Sequence, residues 1–109
     1  MRAVGITRFG GPDVLELVER PVPEPGDGEV RIRVAAATVN PADTVLRSGR
    51  HGPPDGAEPP YVPGMELAGT IDAASAGSGF RWGDRVMAIM SPRTASPRVT
   101  ARPRWSIQP

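Results

Sequence analysis

The stretch Glu29-Val30-Arg31-Ile32-Arg33-Val34-Ala35-Ala36-Ala37-Thr38-Val39-Asn40-Pro41-Ala42-Asp43 decides the fold class. Val30, Ile32, Val34 and Ala36 recur at every second position, with Arg31 and Arg33 between them. Side chains alternate across a strand, so one set faces a core and the other faces water. Glu29 to Val39 therefore reads as a strand with one buried face. The three alanines at 35–37 keep the strand thin, so other backbone can approach it. The pattern then changes. Asn40 can accept a hydrogen bond from the N2 or N3 amide of a helix, and Pro41 suits the first helical position. Asp43 puts a carboxylate in the first turn, where the helix dipole favours it. Gly49 ends this short helix.

Working outward, Arg2 to Ile6 alternates weakly and predicts a first strand. Phe9-Gly10-Gly11-Pro12-Asp13 predicts a turn, and Val14 to Glu19 a second strand pairing with the first as a long-turned hairpin. Three prolines between Pro21 and Pro25 exclude a continued sheet and predict an extended connector. Residues 50–63 hold five prolines and two glycines and predict a loop, of a length more often functional or mobile than idle. Gly64 to Ala74 predicts a strand with Leu67, Gly69, Ile71 and Ala73 in one register. Trp82-Gly83-Asp84-Arg85 predicts a corner, and Val86 to Met90 a last strand. Five or six short strands and one short helix make an all-β barrel or sandwich of modest core.

Composition bounds the function. The chain has 109 residues and no cysteine, which excludes disulfides, thiolate metal sites and a cysteine nucleophile. No apolar run approaches a membrane span and no secretory signal is visible, so the expected location is the cytoplasm, without a membrane partner. All 13 basic residues are arginines against 12 acids, a balance that gives no reason to expect nucleic acid. The charges are uneven. Residues 1–90 hold every acid and nine arginines, whereas 91–109 hold four arginines, four prolines and no acid. We expect a domain over 1–90 and a disordered Arg/Pro-rich tail over 91–109. The abrupt change after Met90 suggests an interrupted longer reading frame. A nucleic-acid arm is the weaker reading of that tail, because four prolines break up a small charge.

The chemical inventory is short. His51 is the one histidine, with no second histidine or cysteine to form a metal site, and no Ser-His-Asp set has recognisable context. Neither a Walker loop nor a G-x-G-x-x-G between strand and helix is present.

Three stretches carry a resemblance. Phe9-Gly10-Gly11-Pro12-Asp13-Val14-Leu15 is similar to an F-G-G-P-x-V-L opening. Val39-Asn40-Pro41-Ala42-Asp43-Thr44 with Arg47-Ser48-Gly49 is similar to N-P-x-D…R-x-G. Pro63 to Ile71 with Gly83-Asp84-Arg85-Val86 resembles G-x-E-x-x-G-x-V…G-D-R-V. Together they resemble the N-terminal half of the medium-chain dehydrogenase/reductase superfamily, in its quinone-reductase branch. The resemblance implies a GroES-like, chaperonin-10-like partial β-barrel, the catalytic domain of a reductase that passes hydride from NADPH to a quinone or activated alkene (an enone). The superfamily's zinc enzymes use a cysteine and the histidine of G-H-E. Here Asn40-Pro41-Ala42-Asp43 and Met65 stand in those regions, which implies the zinc-independent branch, with Glu66 fixing local backbone or pairing with an arginine.

By the same resemblance Asn40 and Asp43 are the catalytic and cofactor-binding candidates, on the nicotinamide side of a cleft. Asn40 as helix cap and Asp43 as dipole partner remain the competing structural readings. Tyr61 is a candidate for the substrate cleft. Some quinone reductases carry an aromatic residue where this chain has Val45. The family's Rossmann domain is not found after residue 90, so the expectation for the isolated chain is weak or no NADPH binding and no turnover. The alternatives are a non-enzymatic interaction module, including a chaperonin-10-like oligomer or a dimer through open edges, and one half of a split reductase completed by a Rossmann-domain fragment.

Overall fold

The computed structural model describes residues 1–90. The tail expected over 91–109 lies outside the described residues. Strands β1 (Arg2–Gly5) and β2 (Glu16–Glu19) form an antiparallel hairpin in which Arg2 faces Glu19 and Gly5 faces Glu16. Strands β3 (Val30–Ala37), β4 (Glu66–Ala74) and β5 (Arg85–Ile89) form a second, antiparallel sheet in the order β3-β4-β5. Helix α1 (Pro41–Ser48) connects β3 to the proline loop. The chain is thus mainly β, with one short helix and two open sheets, as the partial-barrel expectation requires. Ile6 joins the hairpin region to the end of the proline loop, because Ile6 and Tyr61 exchange two backbone hydrogen bonds of 2.8 Å.

The boundaries differ from the sequence reading in instructive ways. Val14 does not extend β2. It closes a 3-10 turn, Pro12–Val14, that Pro12 starts, and buries its side chain there. The pairing of β3 with β4 has register shifts between Arg31 and Ile32 and between Val34 and Ala36. The extra residue is Asp72 of β4 at the first shift and Ala35 of β3 at the second. Along β3, Val30 is buried and Ile32 half-buried, but Val34 is 51% exposed and the alanines after it are open to solvent. The buried face predicted over the whole strand exists only at its start.

Ile6 and Ile71 are fully buried, with Val14, Val18, Val30 and Ala88 nearly so. Gly69 of β4 lies close against β3: a Cβ there would run into the Arg33 carbonyl oxygen, which as backbone cannot swing aside. On the outer side of β5, Met87 and Ile89 are exposed.

One ion cluster holds the proline connector to this sheet. Arg31 Nε donates to Asp72 Oδ1 at 2.7 Å, and its Nη1 donates to the Pro23 carbonyl at 3.2 Å and to Glu24 Oε1 at 3.1 Å. The hydrogen bond to Asp72 raises the Arg31 pKa, against a smaller desolvation effect. A cation whose pKa is raised by folding contributes its stabilisation at every pH below its ordinary value and loses it only in strong alkali.

Candidate active site around helix α1

Helix α1 begins as its sequence dictates. Pro41 occupies the first turn and Asn40 holds the extended backbone of a cap. Asn40 and Asp43 face each other in capping-box fashion, and Asp43 Oδ2 accepts the Asn40 N–H at 2.7 Å. The Asp43 amide in turn donates to the Asn40 carbonyl at 3.0 Å. Asp43 is 92% buried by this arrangement, the one buried charged side chain among the described residues. Its second oxygen, Oδ1, is also buried and has no hydrogen-bond partner among them.

The Asn40 side chain points its amide elsewhere. Nδ2 donates to Thr38 Oγ1 at 2.8 Å and to Glu66 Oε2 at 3.1 Å, while Thr38 Oγ1 donates to the same Glu66 oxygen at 2.9 Å. A carboxylate only accepts, so the group facing it must be the NH2. Glu66 lies on β4, which places it 26 residues from Asn40 along the chain. Glu66 therefore locks the approach to the helix through Thr38 and Asn40. Among the described residues an arginine is not one of its partners, contrary to one of the two roles expected for it.

The helix ends on Gly49 at φ 75°, a left-handed conformation that glycine adopts at least cost. A Cβ at that position would also meet the Phe9 ring at 2.7 Å. Phe9 stacks on Tyr61 at 5.5 Å with an interplanar angle of 6°. Beside it, Gly10 N–H donates to the Arg47 carbonyl at 2.9 Å, and Arg47 Nη1 donates to the Gly10 carbonyl at 3.0 Å. The turn at 9–11, the end of α1 and Tyr61 are thus bound into one unit. Asn40 and Asp43 come together as the sequence suggested. Tyr61 is fixed by Phe9 and Ile6, at the other end of the helix. The Thr38–Asn40–Glu66 network and the Arg47–Gly10 pair were not visible beforehand, because their partners are 26 to 37 residues apart. Only the motif resemblance, which contains all of these residues except Thr38, carried any signal of them.

A cavity of about 340 Å³ opens beside α1, lined by Ala42, Val45 and Leu46 of the helix and by residues 51–55 of the proline loop. His51 is at this wall and is exposed. Among the described residues no group of three or more His, Asp or Glu side chains comes together to hold a metal ion. No described helix is long and apolar enough to cross a membrane.

Comparison with known proteins fits this geometry. The family model of the alcohol dehydrogenase GroES-like domain matches residues 26–103. Quinone oxidoreductase from Sus scrofa is 41% identical over 93 residues, covering 82% of this chain and 27% of that protein. Among solved structures, Escherichia coli quinone oxidoreductase complexed with NADPH superposes with a TM-score of 0.75 at 32% identity, covering 84% of this chain and 27% of that one. The cobalt- and zinc-bound thermostable alcohol dehydrogenase from Pyrobaculum aerophilum gives 0.69 at 41% identity, over 81% of this chain and 26% of that one. The chain spans about a quarter of the length of these relatives. It belongs to the alcohol dehydrogenase GroES-like domain family, within the medium-chain dehydrogenase/reductase superfamily and among its quinone oxidoreductase-like members.

Proposed function

We propose that this chain is the catalytic-domain portion of an NADPH-dependent, zinc-independent oxidoreductase of the cytoplasm, which reduces a quinone or an activated alkene by hydride transfer. The observation that carries the reading is the likeness of most of this chain to quinone oxidoreductases, two of the similar structures holding NADPH. In the chain itself Asn40 and Asp43 stand together at the N-terminus of α1, where an amide side chain and a carboxylate are groups of the kind that hydrogen-bond a nicotinamide carboxamide or a ribose hydroxyl. The residues present fit that end of the cofactor. They offer nothing for its pyrophosphate, since no glycine-rich strand–turn–helix is found in the sequence. Bound NADPH supplies the hydride. Asn40 and Asp43 hold the reacting ring in place, Glu66 and Thr38 keep Asn40 oriented, and the acceptor is aligned rather than activated by a metal.

On this reading the isolated chain binds NADPH weakly and does not turn over. Tyr61 acts on the substrate cleft indirectly, by anchoring the far end of the proline loop. The expected partner is a small-molecule acceptor, and not nucleic acid. The test is heteronuclear NMR of the 109-residue chain with and without millimolar NADPH. Shifts confined to Asn40, Asp43 and their neighbours support the reading. A well-dispersed spectrum that NADPH leaves unchanged there, or NADPH oxidation by the chain alone with a quinone, would refute the binding and the inactivity respectively.

A further inference from the structure

The outer edge of β5 differs from the other strand edges. β1 and β2 are four residues each and carry Arg2, Glu16 and Glu19. β3 has its bulge at Ala35, and Arg31 ties the proline connector to its first half. Short strands, charges, bulges and covering segments are the devices that keep sheet edges from pairing. Among the described residues nothing of this kind protects β5 beyond the charge of its first residue, Arg85. Its register with β4 runs without a shift. At its two ends Met90 N–H donates to the Met65 carbonyl at 2.6 Å, and Ile71 N–H to the Asp84 carbonyl at 2.9 Å. Inward- and outward-bonding residues alternate along an antiparallel strand. Val86 and Ala88 therefore bond to β4, while Arg85, Met87 and Ile89 turn N–H and C=O away from it. The side chains of the same three residues share one face of the sheet and are exposed.

We propose that this edge pairs with the same edge of a second copy of the chain, antiparallel, about a two-fold axis at Met87. The inference is independent of the proposed reaction. In this register Met87 faces Met87 of the second copy and Arg85 faces its Ile89, so each outward N–H and C=O of Arg85, Met87 and Ile89 finds a partner. The two Met87 side chains make an apolar centre, and the stem of each Arg85 lies along the opposite Ile89. Charge selects the antiparallel arrangement. A parallel pairing would set Arg85 beside Arg85, whereas here four residues, about 14 Å, separate them. Glu66 stands beside Ile89 in β4, so each Arg85 extends along a row that ends on a carboxylate of the other copy. Among the described residues Arg85 makes no ion pair within its own chain that would compete. One short strand edge buries less area than a stable interface needs, so the dimer is weak and reversible, with a dissociation constant on the order of 0.1 mM.

The test is sedimentation velocity and amide exchange of the full 109-residue chain from micromolar to millimolar concentration. The expected mass rises towards that of two chains and no further. Over the same range the amides of Arg85, Met87 and Ile89 gain protection, while those of Val86 and Ala88 are protected at every concentration. Met87→Lys sets like charges on the axis and is expected to weaken association about tenfold. Met87→Glu is expected to do the same, and an equimolar mixture of the two variants to restore association. Dispersed amide spectra report that each variant is folded. A mass that stays at one chain would overturn the proposal. If the Met87 and Ile89 amides were then protected even at dilution, the edge would be covered within one chain. Association unchanged in Met87→Lys, or absent from the mixture, would place the contact elsewhere, and growth beyond two copies would overturn the closed two-fold pairing.

Discussion

The three-stranded sheet and the helix–loop region between β3 and β4 are built by different rules. In β3-β4-β5 the strands themselves are marked by local alternation, although two register shifts interrupt the β3–β4 pairing, and the Arg33 backbone passes close to Gly69. In residues 40–63 regular local signals stop at the end of α1, and position is decided by contacts from afar. Phe9 stacks on Tyr61, Ile6 pairs with Tyr61, Gly10 clasps Arg47 and Glu66 holds Asn40. The lesson is a division of labour. A rigid sheet is specified cheaply by sequence pattern, while the segment that carries the candidate chemistry is suspended between partners distant in the chain and can vary without disturbing the sheet.

That contrast can be broken most forcefully at Gly69. Gly69→Val places side-chain atoms against the Arg33 carbonyl, and the expected outcome is a chain without dispersed amide resonances. A native-like spectrum would show that the sheet tolerates separation there. Ile71→Ala empties a fully buried site on the same strand and is expected to cost about 3 kcal/mol in urea unfolding, with the whole sheet lost in one transition. Asp43→Ala removes the acceptor of the Asn40 amide and should cost about 1–2 kcal/mol, together with the NADPH response. Retention of that response would separate Asp43 from the cofactor.

Phe9→Leu removes the stack on Tyr61 and is expected to cost about 1 kcal/mol. Its signature is regional: amides of residues 50–63 should exchange faster while those of β3 to β5 keep their protection. Uniform loss of protection would mean that the two regions are one cooperative unit. The smallest effect is expected from Asp72→Asn, because the half-buried Arg31 keeps the Pro23 carbonyl and Glu24 as partners and an amide oxygen can still accept from its Nε. Because the Arg31 pKa is raised, its contribution is complete at neutral pH and persists into mild alkali. The stability difference between this variant and wild type should therefore stay constant between about pH 7 and 10, where neither Arg31 nor an ordinary carboxylate titrates. A difference that shrank over that interval would point to another partner.

Much of the architecture was legible. Alternation announced β3 and β4, Asn40-Pro41 and Gly49 marked both ends of α1, and the clustered prolines marked the loop. The errors fell where residues near one another in sequence gave no information about what covered them. Val34 and Ala36 continue the apolar pattern of β3 but are exposed, and Val14 reads as strand although Pro12 turns it into a 3-10 helix. Asn40 reads as a helix cap, but nothing near it in sequence shows that its amide Nδ2 also donates to a carboxylate on β4. His51 is a lone histidine in sequence, and only the fold sets it beside a cavity whose other wall belongs to α1.

The amino-acid sequence by itself determined the mainly β class, the helix that follows β3, the pairing of Asn40 with Asp43 and the family. Each of these is encoded within a few residues, as a two-residue period, a cap or a short motif. Tertiary structure alone decided that Asp43 is buried with one oxygen unpartnered, that Glu66 orients Asn40, that Tyr61 is an anchor for the loop, and that His51 borders an apolar cavity. The physical reason is that burial and hydrogen-bond partnership are properties of neighbours in space. Here those neighbours come from Ile6, the turn at 9–11 and β4, brought together only in the folded chain.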